Sequence, residues 1–161
     1  MLVLGIDPGL ATTGYGLVAG DSQTLQPIAF GVVRTPPHVP ITDRLVTLYD
    51  ALQRIIDEFA PDQAAVEELF FATNARTAIS VSQARGVALL AVAKAGLPAA
   101  EYTPLQVKQT TTGYGQADKQ QVQEMVRILL GLREPPKPDD AADALAVAIC
   151  HLSYSRVAGI P

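Results

Sequence analysis

The chain has 161 residues, 48% of them apolar and 17% charged, a balance typical of one globular domain over residues 1–161 and unlike a disordered segment or a coiled coil. The net charge of −4 argues against a nucleic-acid partner, because contacts to phosphate need lysine and arginine. The single cysteine, Cys150, excludes an internal disulfide, and the longest apolar run has seven residues, where a membrane span needs about 18.

Three short apolar runs separated by turn residues open the chain and predict three consecutive strands, most simply paired as antiparallel hairpins. They cover residues 2–6, 15–19 and 28–33. Residues 43–59 then place apolar side chains on one helical face, and Pro61 ends that helix. The apolar run 63–67 follows the helix, so we expect it to return as a strand parallel to the first.

A second long helix is predicted over residues 74–95, and its later part, 86–93, is apolar nearly all round. Such a helix needs packing partners on two sides, and one of them could be another subunit. The pattern continues with a fifth strand over 99–102, a short helix opened by Thr103 and Pro104, a helix capped by Asp118, and a last helix over 139–154. This order indicates an α/β fold of the ribonuclease H type, a five-stranded mixed sheet flanked by helices.

Acidic residues follow two strands that the predicted topology makes neighbours. Asp7 ends the first strand, and Glu67 and Glu68 end the fourth. Parallel pairing brings one of the two glutamates beside Asp7, because successive strand residues point to opposite faces. Taken singly, each acid is explained as well by a turn or a strand end.

Three aspartates open the last helix, where the positive end of the helix dipole favours carboxylates. We expect Asp139 to cap the helix. Asp140 and Asp143 are three residues apart and share a helix face, which can aim their oxygens at one point.

Together these acids predict an oxygen-rich cage for Mg²⁺ or Mn²⁺. Four converging acids repel one another unless cations are bound. Two cations about 4 Å apart can activate an attacking water and stabilise the leaving oxygen in phosphodiester cleavage. The pattern therefore predicts a nuclease that needs no nucleophilic side chain.

Other site types fit the sequence poorly. There is no GxxxxGK[ST] loop, and the stretches Gly14-Tyr15-Gly16 and Gly113-Tyr114-Gly115 are incomplete as dinucleotide fingerprints. One cysteine and two distant histidines form no zinc site. We expect Cys150 in the core and His151 at the surface.

Five segments, in order and spread from residue 2 to about residue 151, resemble the RuvC family of Holliday junction resolvases. They are Gly5-Ile6-Asp7-Pro8-Gly9, Val66-Glu67-Glu68-Leu69-Phe70, Gln83-Ala84-Arg85-Gly86, Gln106-Val107-Lys108-Gln109 and Asp140-Ala141-Ala142-Asp143-Ala144-Leu145-Ala146. The resemblance implies a homodimer, with the second long helix at its interface, bound to a four-way DNA junction. It also implies one active site per subunit and symmetric nicks that leave 5′-phosphate and 3′-hydroxyl ends.

The resemblance implies a specific set of metal ligands for the two Mg²⁺ or Mn²⁺ ions of each active site. These ligands are Asp7, Glu67, Asp140 and Asp143. Glu68 falls at a position that the family does not use for metal. Asp139 could replace Asp140, because Asp139 and Asp143 also share a helix face, at i, i+4.

The resemblance also implies residues that contact DNA. Lys108 and Lys119 match basic residues near the cut strand, and Phe70 matches an aromatic that probes the junction. Arg76 and Arg85 are further candidates for DNA contacts. They belong to the segment 70–133, which holds seven basic and three acidic residues and so can form one basic surface on an acidic protein.

A branch-migration motor of the RuvA and RuvB type is an implied partner, and no membrane partner is expected. The N-terminus carries no basic leader, so we expect a cytoplasmic protein.

Three alternative functions remain open. A ribonuclease H-like enzyme acting on RNA or hybrid would use the same acids. An actin-like ATPase would need two such domains, and an inactive junction-binding module is disfavoured because all four ligand positions hold acids.

Overall fold

The structure is a computed structural model that describes residues 1–21, 23–69 and 74–157. It contains five strands: β1 (Leu2–Asp7), β2 (Thr12–Gly20), β3 (Leu25–Arg34), β4 (Gln63–Glu67) and β5 (Ala99–Tyr102). They form one sheet in the order β3-β2-β1-β4-β5. The first three strands pair antiparallel, whereas β4 is parallel to β1 and to β5. The predicted five-stranded mixed sheet is confirmed.

Five helices cover the two faces of this sheet. They are α1 (Ile41–Phe59), α2 (Ala75–Lys94), α3 (Pro104–Thr112), α4 (Lys119–Leu129) and α5 (Asp139–Val157). Helix α5 crosses one face of the sheet and carries α3 and α4 on its outer side, while α1 and α2 pack together on the other face. Among the helices of the described residues, none combines the length and apolar character needed to cross a bilayer.

Strand β1 lies at the centre of the sheet, and its side chains alternate between the two cores. Leu4 and Ile6 are fully buried in the core beneath α1 and α2, together with Leu48. Val3 belongs to the core beneath α5, so Asp7 emerges on the α5 face. Each such buried aliphatic side chain contributes about 1.5–3 kcal/mol to folding. The strand that carries Asp7 is therefore firmly held on both faces.

The predicted bounds of β4 and β5 are confirmed, but β2 starts at Thr12, three residues before the predicted start. The prediction was wrong because Gly14, a residue common in turns, lies inside this strand, where it pairs with Asp7. Helix α5 also extends three residues beyond the predicted end at residue 154.

Candidate metal centre

Asp7 and Glu67 lie side by side at the ends of two parallel strands. Ile6 is in register with Val66, so the next residue of each strand falls at the same edge of the sheet and on the same face. The two carboxyl groups are close enough to share a hydrogen bond when one of them is protonated. Burial, followed by the negative charge of Glu67, raises the pKa of Asp7 to about 9. Without a cation, the pair therefore holds a proton on Asp7.

Glycines let helix α5 approach the sheet at backbone contact distance. A Cβ atom on Gly14 would overlap the carbonyl oxygen of Asp140, and a Cβ on Gly5 would lie 2.7 Å from the backbone nitrogen of Ala148. Real Cβ atoms essentially never come this close to other backbone atoms. The absence of side chains at Gly5 on β1 and Gly14 on β2 thus lets the first turns of α5 lie directly over the Asp7 end of the sheet.

The helix start completes a three-aspartate cluster. Carboxylate oxygens of Asp7, Asp140 and Asp143 all lie within 4.8 Å of one another. Burial raises the pKa of Asp143, with the charge of Asp140 adding to this and Lys119 opposing it. Half-buried acids at this distance repel one another, and a bound cation would relieve that repulsion.

The position of Asp139 differs from the predicted cap. The carbonyl of Pro138 accepts the first hydrogen bond of α5, from Ala141, at 3.0 Å, so Asp139 is already the first helical residue. Its carboxylate lies 3.5 Å from the ammonium nitrogen of Lys119 and is not part of the aspartate cluster. The geometry favours Asp140 over Asp139 as the metal ligand.

A cleft of ≈ 210 Å³ opens beside the acids, and both lysines singled out in the sequence line it. Its walls are formed by Glu67, Pro104, Val107, Lys108, Lys119, Val122, Asp143 and Ala146. The Lys119 nitrogen lies 3.5 Å from the carboxylate of Asp143. Partial burial lowers the pKa of Lys119, but the charges of Asp143 and Asp139 outweigh this effect and raise it. Acids and cations therefore meet in one cleft that is open to solvent.

The donor atoms at this centre suit a hard divalent cation. The residues that converge here offer carboxylate oxygens only, which are the ligands that Mg²⁺ and Mn²⁺ prefer, and no thiolate or imidazole that would favour zinc. Their burial and mutual repulsion would be offset by the charge of a bound cation. An acid cluster of this kind fits the binding of metal.

Comparison with known proteins identifies the family of this chain. Residues 3–151 match the family model described as crossover junction endodeoxyribonuclease RuvC. The chain belongs to the RuvC family. A crossover junction endodeoxyribonuclease RuvC from Desulfitobacterium hafniense (strain DSM 10664 / DCB-2) is 61% identical over 151 residues, covering 94% of this chain and 92% of the relative. The family resemblance found in the sequence is therefore confirmed.

Solved structures agree with the family assignment and the fold. The structure of Thermus thermophilus RuvC in complex with a Holliday junction substrate superposes with a TM-score of 0.94 at 40% identity, covering 98% of this chain and 96% of that one. A yeast mitochondrial Holliday junction resolvase shares the fold, with a TM-score of 0.65 at 15% identity, covering 96% of this chain and 80% of that one. The ribonuclease H-like fold class is confirmed, and this RuvC family member is a nuclease, a hydrolase of DNA.

The remaining residues named from the sequence lie outside the aspartate cluster and the cleft, or outside the described residues. Arg76 is exposed in the first turn of α2. Arg85 forms a salt bridge with Glu101 and does not line the cleft. Glu68 donates its backbone N–H to the carbonyl of Tyr102 and, like Glu67, is not part of the aspartate cluster. Phe70 lies outside the described residues, so its role stays a prediction.

Two features of this RuvC family member were not predicted. The glycine contacts beneath α5 are one. The other is the burial of His151, which we expected at the surface, so that prediction was wrong. Cys150 is buried as predicted. The His151 ring hydrogen-bonds to the Tyr102 hydroxyl at 2.9 Å and to Gln63 at 2.6 Å. This chain of hydrogen bonds ties α5 to β4 and β5, the strand pair that carries Glu67.

Proposed function

We propose that this RuvC family member resolves four-way DNA junctions by paired, symmetric nicks during DNA recombination and repair. The observation that carries the proposal is the convergence of Asp7, Asp140 and Asp143 beside the Asp7–Glu67 pair, in a cleft that also holds Lys108 and Lys119. The Thermus thermophilus relative, solved with a Holliday junction substrate, supports the choice of substrate.

Asp7, Glu67, Asp140 and Asp143 would hold two Mg²⁺ or Mn²⁺ ions. Such ions lower the pKa of an attacking water and stabilise the leaving oxygen. Asp7 holds a proton in the absence of metal, so binding requires Asp7 to release that proton. The position of Glu67 beside Asp7 lets both carboxylates face the same cations, whereas Glu68 belongs to the outside of the site.

Lys108 and Lys119 contact the phosphates of the cut strand. Lys119 is the first residue of α4, where the helix dipole adds to its charge in attracting an anion. In the DNA-free protein its ammonium group lies near Asp143 and Asp139. Cations that neutralise the acids would free this lysine for the DNA backbone.

The enzyme acts as a homodimer through the outer face of α2. Ile79 is 61% exposed and Leu90 is 53% exposed on this helix, and Gly86 lies between them with open space around it. Exposed aliphatic side chains flanking a glycine allow close approach of a second helix. A two-fold dimer presents two identical active sites, as symmetric nicks require. A branch-migration motor of the RuvA and RuvB type and a cytoplasmic location complete the proposal.

The substrate choice is tested on matched substrates of one sequence: a four-way junction, a linear duplex and an RNA–DNA hybrid. The junction should be cut at least about tenfold faster than either other substrate, a difference of about 1.4 kcal/mol in activation free energy. Preferential cutting of the hybrid would identify a ribonuclease that uses the same acids, and would reject the proposal.

The dimer is tested by sedimentation of Leu90→Glu, with Val46→Glu as the control. Val46 is 57% exposed on α1, which lies next to α2 but outside the proposed interface. Leu90→Glu should sediment as a monomer and Val46→Glu as a dimer. A wild-type protein that remains monomeric at micromolar concentration would reject the homodimer.

A further inference from the structure

A second groove lies between the start of α4 and the loop before it, and it contains an exposed aromatic ring. Its volume is ≈ 460 Å³, and it is lined by Thr112, Tyr114, Ala117, Asp118, Gln120, Gln121, Glu124 and Met125. We call it the Tyr114 groove. It shares the first turn of α4 with the catalytic cleft, because Asp118 and Gln120 line the groove while Lys119, between them, lines the cleft. The two depressions are therefore neighbours at the start of α4, although no residue lines both.

Hydrogen bonds hold the backbone of the loop that carries Tyr114, whereas the Tyr114 side chain is exposed. The Tyr114 N–H donates to the Thr112 hydroxyl at 3.1 Å, and its carbonyl accepts from the backbone of Ala117 at 3.0 Å and from Thr112 at 3.0 Å. The residue itself is 57% exposed. Nearby Leu105, directly after a residue of the cleft wall, is 58% exposed. A fixed backbone thus presents an apolar ring to solvent beside the active site.

The chemistry of the groove favours a nucleobase over a phosphate. Among the residues that the structure describes, no lysine or arginine lines it. Both of its acids are engaged: the Asp118 carboxylate accepts the backbone N–H of Gln121 at 2.8 Å, and Glu124 forms a bidentate pair with Arg127. The remaining surface combines the Tyr114 ring and the Met125 side chain with neutral amides. Planar, uncharged groups with hydrogen-bonding edges fit such a surface.

We propose that the Tyr114 groove binds an unstacked nucleobase of the strand that is cut, with the base stacked on the Tyr114 ring and its edge at the amide of Gln120. This inference rests on the proposed function, since the lysines of the adjoining cleft hold the phosphates of the same strand. Taking a base out of the helical stack costs least where its pairing is already disturbed. Tyr114 would then influence which sequences are cut.

The test uses photo-crosslinking of junctions that carry 5-iodouracil at single positions around the crossover. The Asp7→Asn background keeps the DNA intact. One of these positions should crosslink to the peptide that contains Tyr114, and Tyr114→Ala should abolish the crosslink. In the active protein, Tyr114→Ala should bind the junction about tenfold more weakly, melt at the wild-type temperature and lose discrimination between cut-site sequences.

Two control variants isolate the ring. Tyr114→Phe keeps the aromatic surface and should bind and cut like wild type. Phe30→Ala removes another exposed aromatic, on the edge strand β3, and should change neither binding nor preference. Crosslinks confined to other peptides, or equal weakening by Tyr114→Phe and Tyr114→Ala, would overturn the proposal. A junction that is bound and crosslinked through Tyr114 but never cut by the wild type would reject the proposed cleavage function, while the groove would still be a binding site for a nucleobase of the junction.

Discussion

Replacement of Gly14 by alanine tests whether the sheet surface positions the metal centre. The added Cβ would overlap the Asp140 carbonyl oxygen and lie 3.2 Å from the backbone nitrogen of Ala141. The first turn of α5 must then retreat by roughly 1 Å, a displacement that costs about 10²-fold in rate at an active site. Overpacking of this kind also costs about 1–3 kcal/mol of stability, or about 2–12 °C in Tm.

The assay is single-turnover cleavage of a four-way junction over a range of Mg²⁺ concentrations, well below the Tm of the variant. Gly14→Ala should cut about 10²-fold more slowly and need more Mg²⁺, while it binds the junction normally. Gly31→Ala is the matched control, because the atoms nearest to its Cβ would belong to the Tyr15 side chain and not to the backbone. It should keep wild-type activity. Wild-type cleavage by Gly14→Ala would refute the idea that this glycine contact places Asp140.

Three further variants test individual residues of the site. The folded-state pKa of Asp7, about 9, lies above its ordinary value of 3.8, so the contribution of Asp7 to stability is intact below about pH 4 and is lost as the pH rises towards 9. In EDTA, Asp7→Asn should therefore melt above wild type at pH 8, and the difference in Tm should vanish near pH 4. An equal Tm at pH 8 would contradict the burial of this acid. Glu67→Gln should bind junctions without cutting them while Glu68→Gln cuts normally, and the reverse result in a cleavage assay would show that the strand register is wrong. Lys119→Ala should slow cleavage and reduce the magnitude of the salt slope of binding by about 0.9, whereas an unchanged slope and rate would place Lys119 away from the DNA.

The sequence predicted the parts of the site that depend on local pattern. Alternation along β1 and β4, together with their parallel pairing, predicted that one glutamate would join Asp7, and the structure brings Glu67 there. The i, i+3 spacing of Asp140 and Asp143 likewise predicted a shared helix face. These inferences succeed because strand and helix periodicities fix side-chain directions without knowledge of distant contacts.

Features that depend on contacts between distant elements could not be predicted. Gly14 resembled a turn residue, since nothing nearby in sequence reveals that the backbone of α5 presses on it. His151 resembled a surface residue because its partners, Tyr102 and Gln63, lie 49 and 88 residues away. The predicted cap at Asp139 failed for a different reason, since the chain enters α5 through Pro138 and the Asp139 carboxylate pairs with Lys119 instead.

The map of nick positions on a synthetic mobile four-way junction, with each of the four strands end-labelled in turn, tests the metal-dependent resolvase site most directly. In Mg²⁺ or Mn²⁺ the wild type should nick two opposing strands at symmetric positions and leave 5′-phosphate and 3′-hydroxyl ends. EDTA or the Asp7→Asn substitution should abolish both nicks. Nicks that persist in EDTA or in Asp7→Asn, or an intact junction after incubation of the wild type with either cation, would contradict the assignment of this acid cluster as a metal-dependent resolvase site.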